Sequence, residues 1–198
     1  APYWPIVYVR GYAMTPAEIA DAVSSPYMGF NVGATKLRQA WDGQVRRHVF
    51  ESPLVRLMKD CGYRDIYTDG TEIVGPVPAR SVVIYRYYDN ADPDLGTGKA
   101  PSIVAAAEGL RDLVHRLRVQ VCGDDAEALA GFKVHLVAHS MGGLVCRCFL
   151  QNDAVSTPAD RALVDKVFTY ATPHNGIEMA GLNVPALLGL WDMNNFNR

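Results

Sequence analysis

The sequence predicts an α/β fold, a mostly parallel sheet with helices on both faces. Three observations point to it. Short β-branched apolar runs alternate with longer stretches of helical periodicity. The strand-like runs are apolar at successive positions, as in strands buried on both sides. With 198 residues, 49% of them hydrophobic, the chain is large enough for one domain with a sizeable core.

The elements follow in order. Ile6-Val7-Tyr8-Val9 is a buried strand that ends in a tight turn at Arg10-Gly11. Thr15-Pro16-Ala17-Glu18 is a helix start, with threonine as cap, proline in the first turn and Glu18 completing a capping box. Residues 24–51, punctuated by Ser25-Pro26, Gly29, Gly33 and Gly43, read as an irregular insertion. It either covers a site and carries substrate contacts or is a packed surface loop. Ser52-Pro53 opens a helix whose apolar face is Leu54, Leu57, Met58 and Cys61, and Gly62 stops it. Ser81-Val82-Val83-Ile84-Tyr85 is the second strand, and a turn-rich loop follows from Asp89 to Gly98.

From Ser102 the longest helix begins. Ile103, Ala106, Ala107, Leu110, Leu113, Val114, Leu117 and Val121 recur at helical spacing. Val134-His135-Leu136-Val137 is the third strand, Gly142 to Leu150 a helix, and Thr157-Pro158 the start of a short one. Lys166-Val167-Phe168-Thr169-Tyr170 is the fourth strand. No internal repeat or low-complexity linker interrupts the series.

Composition narrows the function. A formal net charge of −2 offers no footing for nucleic acid and suits a neutral substrate better than a polyanion. No apolar run approaches the ~20 residues that span a bilayer. The opening Ala-Pro-Tyr-Trp-Pro has neither a basic n-region nor an apolar h-region. The expectation is a soluble protein without a visible targeting segment, its compartment unassigned: cytoplasmic, or secreted after removal of a signal. Cys61, Cys122, Cys146 and Cys148 form no CxxC pair and no Cys/His metal spacing, so buried free thiols are expected. Cys146 and Cys148 lie two apart on different helix faces and should not bridge, while a Cys61–Cys122 bridge stays open. Asp89, Asp92 and Asp94 precede Gly96 without a full calcium-loop pattern, and a solvated turn is the expectation. No metal and no cofactor is expected.

The segment that carries chemistry is Ala138-His139-Ser140-Met141-Gly142-Gly143. An apolar strand runs into it and a helical pattern runs out, which is the setting of a nucleophile elbow. Such a turn is sharp, and it lifts the serine out of the sheet with its hydroxyl exposed. Positions two before and two after the serine must be nearly free of side chain, and Ala138 and Gly142 meet that demand. Ser140 also stands at a helix N-terminus, where amide N–H groups favour developing negative charge.

Ala-His-Ser-Met-Gly-Gly resembles the Gly-His-Ser-Met-Gly-Gly of the α/β-hydrolase superfamily, lipase and esterase branch. Val9-Arg10-Gly11-Tyr12 stands in the place of that branch's strand ending in His-Gly. Tyr170-Ala171-Thr172-Pro173-His174-Asn175-Gly176 resembles its Thr-Pro-His-x-Gly segment. The three segments occur in the family's order and span nearly the whole chain. The departures are Ala138 for glycine and Arg10 for histidine.

The resemblance implies Ser140 as nucleophile and an oxyanion hole made by the backbone N–H groups of Met141 and Tyr12. It implies a supporting role for His174 and an effect of Arg10 on loop packing. His174 follows a strand at the carboxyl edge of the sheet, the active-site face. As general base, however, it would violate the family's order of serine, then acid, then histidine. Asp153, Asp160 and Asp165, the acids between Ser140 and His174, do not stand at strand ends. His139 is expected to point into packing, His135 to be a satisfied core histidine, and His48 and His115 have no motif around them. Asp192 is a candidate acid without a strand before it, and Leu182 to Leu190 is an apolar, lid-like stretch.

The family has more strands than the four visible here. Residues 1–198 are therefore expected to be a single hydrolase core lacking its C-terminal strands, with the triad acid and base supplied by a missing C-terminal segment or a second chain. The function implied is hydrolysis of carboxylic esters, small-molecule or lipid, through an acyl-enzyme on Ser140, with peripheral contact to a lipid surface compatible with it. Two alternatives stay open: a catalytically inactive hydrolase-fold binding module, and an acyltransferase using the same serine.

Overall fold

A computed structural model describes residues 3–11, 35–39, 45–49, 53–68, 71–72, 75–91, 93–94, 96–99 and 101–175. The helix start at Thr15, the stretch Leu182 to Leu190, and the residues Tyr12, Asp92 and Asp192 lie outside them.

The class is α/β. Strands β1 (Ile6–Val9), β4 (Arg64–Asp65), β7 (Ser81–Tyr85), β8 (Val134–His139) and β9 (Val164–Tyr170) form one sheet in the order β4-β7-β1-β8-β9. Every pairing in it is parallel. Of its four long strands, β1 and β7 keep the predicted bounds, while β8 runs on to His139 and β9 begins earlier, at Val164. The two-residue β4 was not visible in the sequence, because so short a strand carries no periodicity.

Helix α1 (Pro53–Cys61) ends before Gly62, as its pattern requires. Helix α2 (Ile103–Cys122) starts where Ser102 caps it, the Ser102 hydroxyl accepting the Ala105 N–H. Asp125 caps a short α3 (Ala126–Gly131) by accepting the N–H groups of Glu127 and Ala128. Helix α4 (Met141–Gln151) leaves Ser140 directly, and α5 (Pro158–Arg161) opens on a capping box between Thr157 and Asp160.

The reading of 24–51 as irregular is corrected in part. Within it, β2 (Thr35–Gln39) and β3 (Val45–Val49) pair antiparallel as a hairpin. Thr-Lys-Leu-Arg-Gln and Val-Arg-Arg-His-Val are too polar to show an apolar run, so the pairing hid from a hydrophobicity reading. A second small hairpin joins β5 (Tyr67–Thr68) and β6 (Thr71–Glu72).

The core sits on the central strands. β1 is buried at all four positions and β7 at all but Tyr85, which is half-buried. β8 alternates, with Val134, Leu136 and Ala138 buried and His135, Val137 and His139 half-buried. Helix α2 buries Ala106, Ala107, Leu110, Leu113, Val114 and Leu117 of the predicted stripe, while Ile103 and Val121 at its ends are half-buried. It packs against α4, which also contacts β8, β1 and β9. β9 departs from the buried pattern: Val167 is 40% and Phe168 64% exposed, placing apolar side chains in solvent on this strand. Among the described residues no helix is long and apolar enough to cross a membrane.

The chain passes from β7 through α2 to β8, over β1, so the order changes direction around β1. In open α/β sheets such a switch, at the carboxyl ends of the strands, is where ligands bind. The carboxyl ends of β1 and β8, with Arg10-Gly11 and Ser140, meet there.

Candidate active site

Ser140 links β8 to α4 without a loop. Its backbone has φ 51° and ψ −127°, a left-handed conformation that a side chain disfavours. Such a residue stores about 1–3 kcal/mol and persists only where its surroundings over-determine it. Here they do. The Ser140 N–H donates to the Tyr170 carbonyl at 3.0 Å, and the Ser140 carbonyl accepts from Gly143 N–H at 3.0 Å. The hydroxyl makes no capping hydrogen bond to the helix it precedes.

Glycines let the surrounding backbone close in. A Cβ on Gly142 would stand 2.2 Å from the Val9 carbonyl oxygen and 2.5 Å from that of Arg10. The small residue two after the serine is thus required by the end of β1 rather than by β8. A Cβ on Gly11 would meet the Ser140 Cβ at 2.6 Å and His139 Nδ1 at 2.9 Å. Ala138, two before the serine, is fully buried.

Met141 is the first residue of α4, so its N–H has no acceptor inside the helix. None of the turn and cap hydrogen bonds among the described residues uses it. It stands directly after Ser140, where a helix N-terminus favours an anion. Arg10 and Gly11 bring the chain to Ser140, with the Arg10 carbonyl held by the Tyr87 hydroxyl at 2.8 Å. Tyr12, expected to supply the second donor, and the candidate acid Asp192 lie outside the described residues.

No described histidine ring hydrogen-bonds Ser140. His139 stacks on Tyr170, ring centroids 4.9 Å apart. Burial, and then the Arg10 charge, hold its pKa below the ordinary value. His174 is exposed, and its Nε2 lies 3.3 Å from Thr169 Oγ1. Its N–H donates to the Thr172 carbonyl, and its own carbonyl accepts from Arg147. Among the described residues no hydrogen bond joins it to Ser140. His115 pairs with Asp160 at 2.6 Å on an exposed surface.

The reading of His135 as a satisfied core histidine is corrected. It is half-buried on the less covered side of β8, and its Nδ1 faces Asp165 at 3.5 Å without a hydrogen bond. The strand period explains this, since every second residue of β8 points away from the helix-covered core. Only the backbone of His48, in β3, is described.

The acids between Ser140 and His174 are likewise committed. Asp153 pairs with Arg161, Asp160 with His115 and Thr157, and Asp165 with Lys166. In the Asp89 loop, Asp89 pairs with Arg86. Among the described residues no group of three or more His, Cys, Asp or Glu side chains could hold a metal. The four cysteines are free thiols, Cys61 and Cys122 included, but the expected burial is corrected: only Cys146 is buried, which pushes its thiol up to about 12, while Cys61 is exposed and Cys122 and Cys148 are half-buried.

Around the elbow lies a tyrosine pair that sequence reading did not single out. The Tyr170 hydroxyl donates to that of Tyr8 at 3.3 Å. Burial raises both, Tyr170 to about 12, so both stay neutral near neutral pH. A cleft of about 330 Å³ opens beside α4 and β9, lined by Gly143, Cys146, Arg147, Val167, Thr169 and His174 among others.

Comparison with protein-family models, with curated proteins and with solved structures returns no match.

Proposed function

We propose that this chain is the nucleophile-bearing core of an α/β-hydrolase-like serine esterase that acts on carboxylic esters through an acyl-enzyme on Ser140. The observation that carries the proposal is the left-handed backbone of Ser140 at a strand-to-helix junction, with Gly142 and Gly11 closing around it. A serine gains nothing structural from that conformation, whereas a nucleophile gains exposure of its hydroxyl above the sheet. In this scheme Ser140 Oγ attacks the acyl carbon and gives its proton to a general base. The N–H of Met141, with that of Tyr12 as second donor, holds the tetrahedral oxyanion. Collapse expels the alcohol, which takes the proton from the base, and water then releases the acid by the same route.

None of the four histidines with described rings hydrogen-bonds Ser140. The base, and the acid that orients it, are then drawn from residues beyond the described ones, whether in this chain, in a longer form of it or in a second chain. The same observation favours a second reading, a hydrolase-like binding module in which Ser140 is never activated. Transfer of the acyl group to an alcohol other than water uses the same serine and is separated by product analysis.

A fluorophosphonate probe applied to the intact protein decides between reaction and binding. Covalent labelling that disappears in Ser140→Ala is expected. No labelling of the native protein, or labelling that persists in Ser140→Ala, sinks the esterase proposal and leaves the binding module.

A further inference from the structure

We propose that Thr172 is a positioning residue for Ser140: wedged on Gly143, it locks the end of β9 to the first turn of α4. The proposal rests on the reading of Ser140 as nucleophile and names a residue outside the reaction that sets its geometry. Its starting point is a second strained residue. Among the described residues only Ser140 and Ala171 combine a side chain with positive φ, at 51° and 52°. They are joined through one hydrogen bond, because the Ser140 N–H donates to the carbonyl of Tyr170, the residue before Ala171.

The turn at Ala171 drives Thr172 onto α4. A Cβ built on Gly143 would fall 2.1 Å from Thr172 Oγ1, 2.6 Å from its Cγ2 and 2.8 Å from its Cβ. The threonine side chain therefore fills the space that any side chain at 143 would need. The contact acts by shape, since Thr172 Oγ1 is buried with no hydrogen-bond partner among the described residues. The wedge is stapled on its far side: Arg147, one turn along α4 from Gly143, donates to the His174 carbonyl at 3.0 Å. His174 in turn holds the Thr172 carbonyl with its N–H at 2.9 Å and approaches Thr169 with its ring. Neither left-handed residue can relax without moving this wedge or breaking the hydrogen bond from Ser140 to the Tyr170 carbonyl.

The test reads the elbow in two independent ways: the rate of fluorophosphonate labelling at Ser140 and the hydrogen-exchange protection of the Ser140 amide. Thr172→Ala is expected to lower both by about tenfold or more, beyond any change in global stability by urea unfolding. Thr172→Val keeps the shape and drops the unpartnered hydroxyl, so both readouts should stay within about twofold of the native protein. Gly143→Ala should impair both, and Gly143→Ala/Thr172→Ala should recover at least about threefold of that loss, because the two nearest colliding atoms, Thr172 Oγ1 and Cγ2, are gone and only its Cβ remains close. Should Thr172→Ala not fold, Thr172→Ser, which loses only the methyl, is expected to lower both by about threefold. Amide protection unchanged in Thr172→Ala, or a double variant no better than Gly143→Ala, overturns the wedge. Absent labelling of the native protein overturns the nucleophile instead, and the wedge then stands or falls on amide protection alone.

Discussion

At the scale of single residues, the elbow is held by atoms that cannot yield. Gly142 faces two backbone carbonyls, not the ends of flexible side chains. Gly142→Ala should therefore destabilise the protein by about 1–3 kcal/mol in urea unfolding and lower labelling of Ser140. Stability within about 0.5 kcal/mol of native would mean that β1 and α4 do not approach as closely as described. Two histidines of β8 set a pH dependence. His135 and His139 titrate below 6.5 in the fold, both through burial, with Arg10 adding to the effect at His139 and Asp165 opposing it at His135. Below that value the unfolded chain binds more protons than the folded one. Stability is thus full above 6.5 and is lost as pH falls from there towards the folded pKa values. Asp160, its burial outweighed by Thr157 and His115, and Asp165, through its hydrogen bond with Lys166, are both lowered and act only at lower pH. The urea midpoint should fall between about pH 7.5 and about pH 5, and less so in His139→Phe, which keeps a ring against Tyr170. An equal fall in both proteins would assign the effect elsewhere.

At the scale of elements, the legible features were those written locally. Ser102, Thr157-Pro158 and Gly62 punctuate helices with their own side chains or lack of one, and the helices begin and end where they say. Ser102→Ala should cost about 1 kcal/mol in urea unfolding, because the Ala105 N–H loses its acceptor at the start of the longest helix. No loss would show that water replaces the cap in full. What escaped the sequence lacked a periodic apolar signal. The β2–β3 hairpin is polar along both strands, β4 is two residues long, and α3 is a single short helix with no buried residue. In β9 the apolar run was read correctly as a strand, but its expected burial was not found at Val167 and Phe168. Hydrophobicity states what a strand can bury, and only its neighbours decide what it does bury.

At the scale of the whole molecule, the parallel sheet makes β8 its mechanical link to the candidate site. Leu136 is fully buried on β8, four residues before Ser140, in the core that also contains Leu110 and Phe149. Leu136→Ala should lower stability by about 2–5 kcal/mol in urea unfolding, with an unchanged denaturant slope if the fold stays cooperative. A loss below about 1 kcal/mol would contradict the close packing of that core. The amino-acid sequence by itself determined the alternation of strands and helices, the caps, and the small residues flanking Ser140, because each rests on local periodicity or local backbone demand. Only the tertiary structure decided why those residues are small and what holds Ser140 in place. The carbonyls of Val9 and Arg10 stand against Gly142, and Tyr170 accepts from Ser140 across β8 and β9. Such approaches join residues far apart in the chain, and a close approach leaves no mark on either stretch beyond a glycine whose partner the sequence does not name.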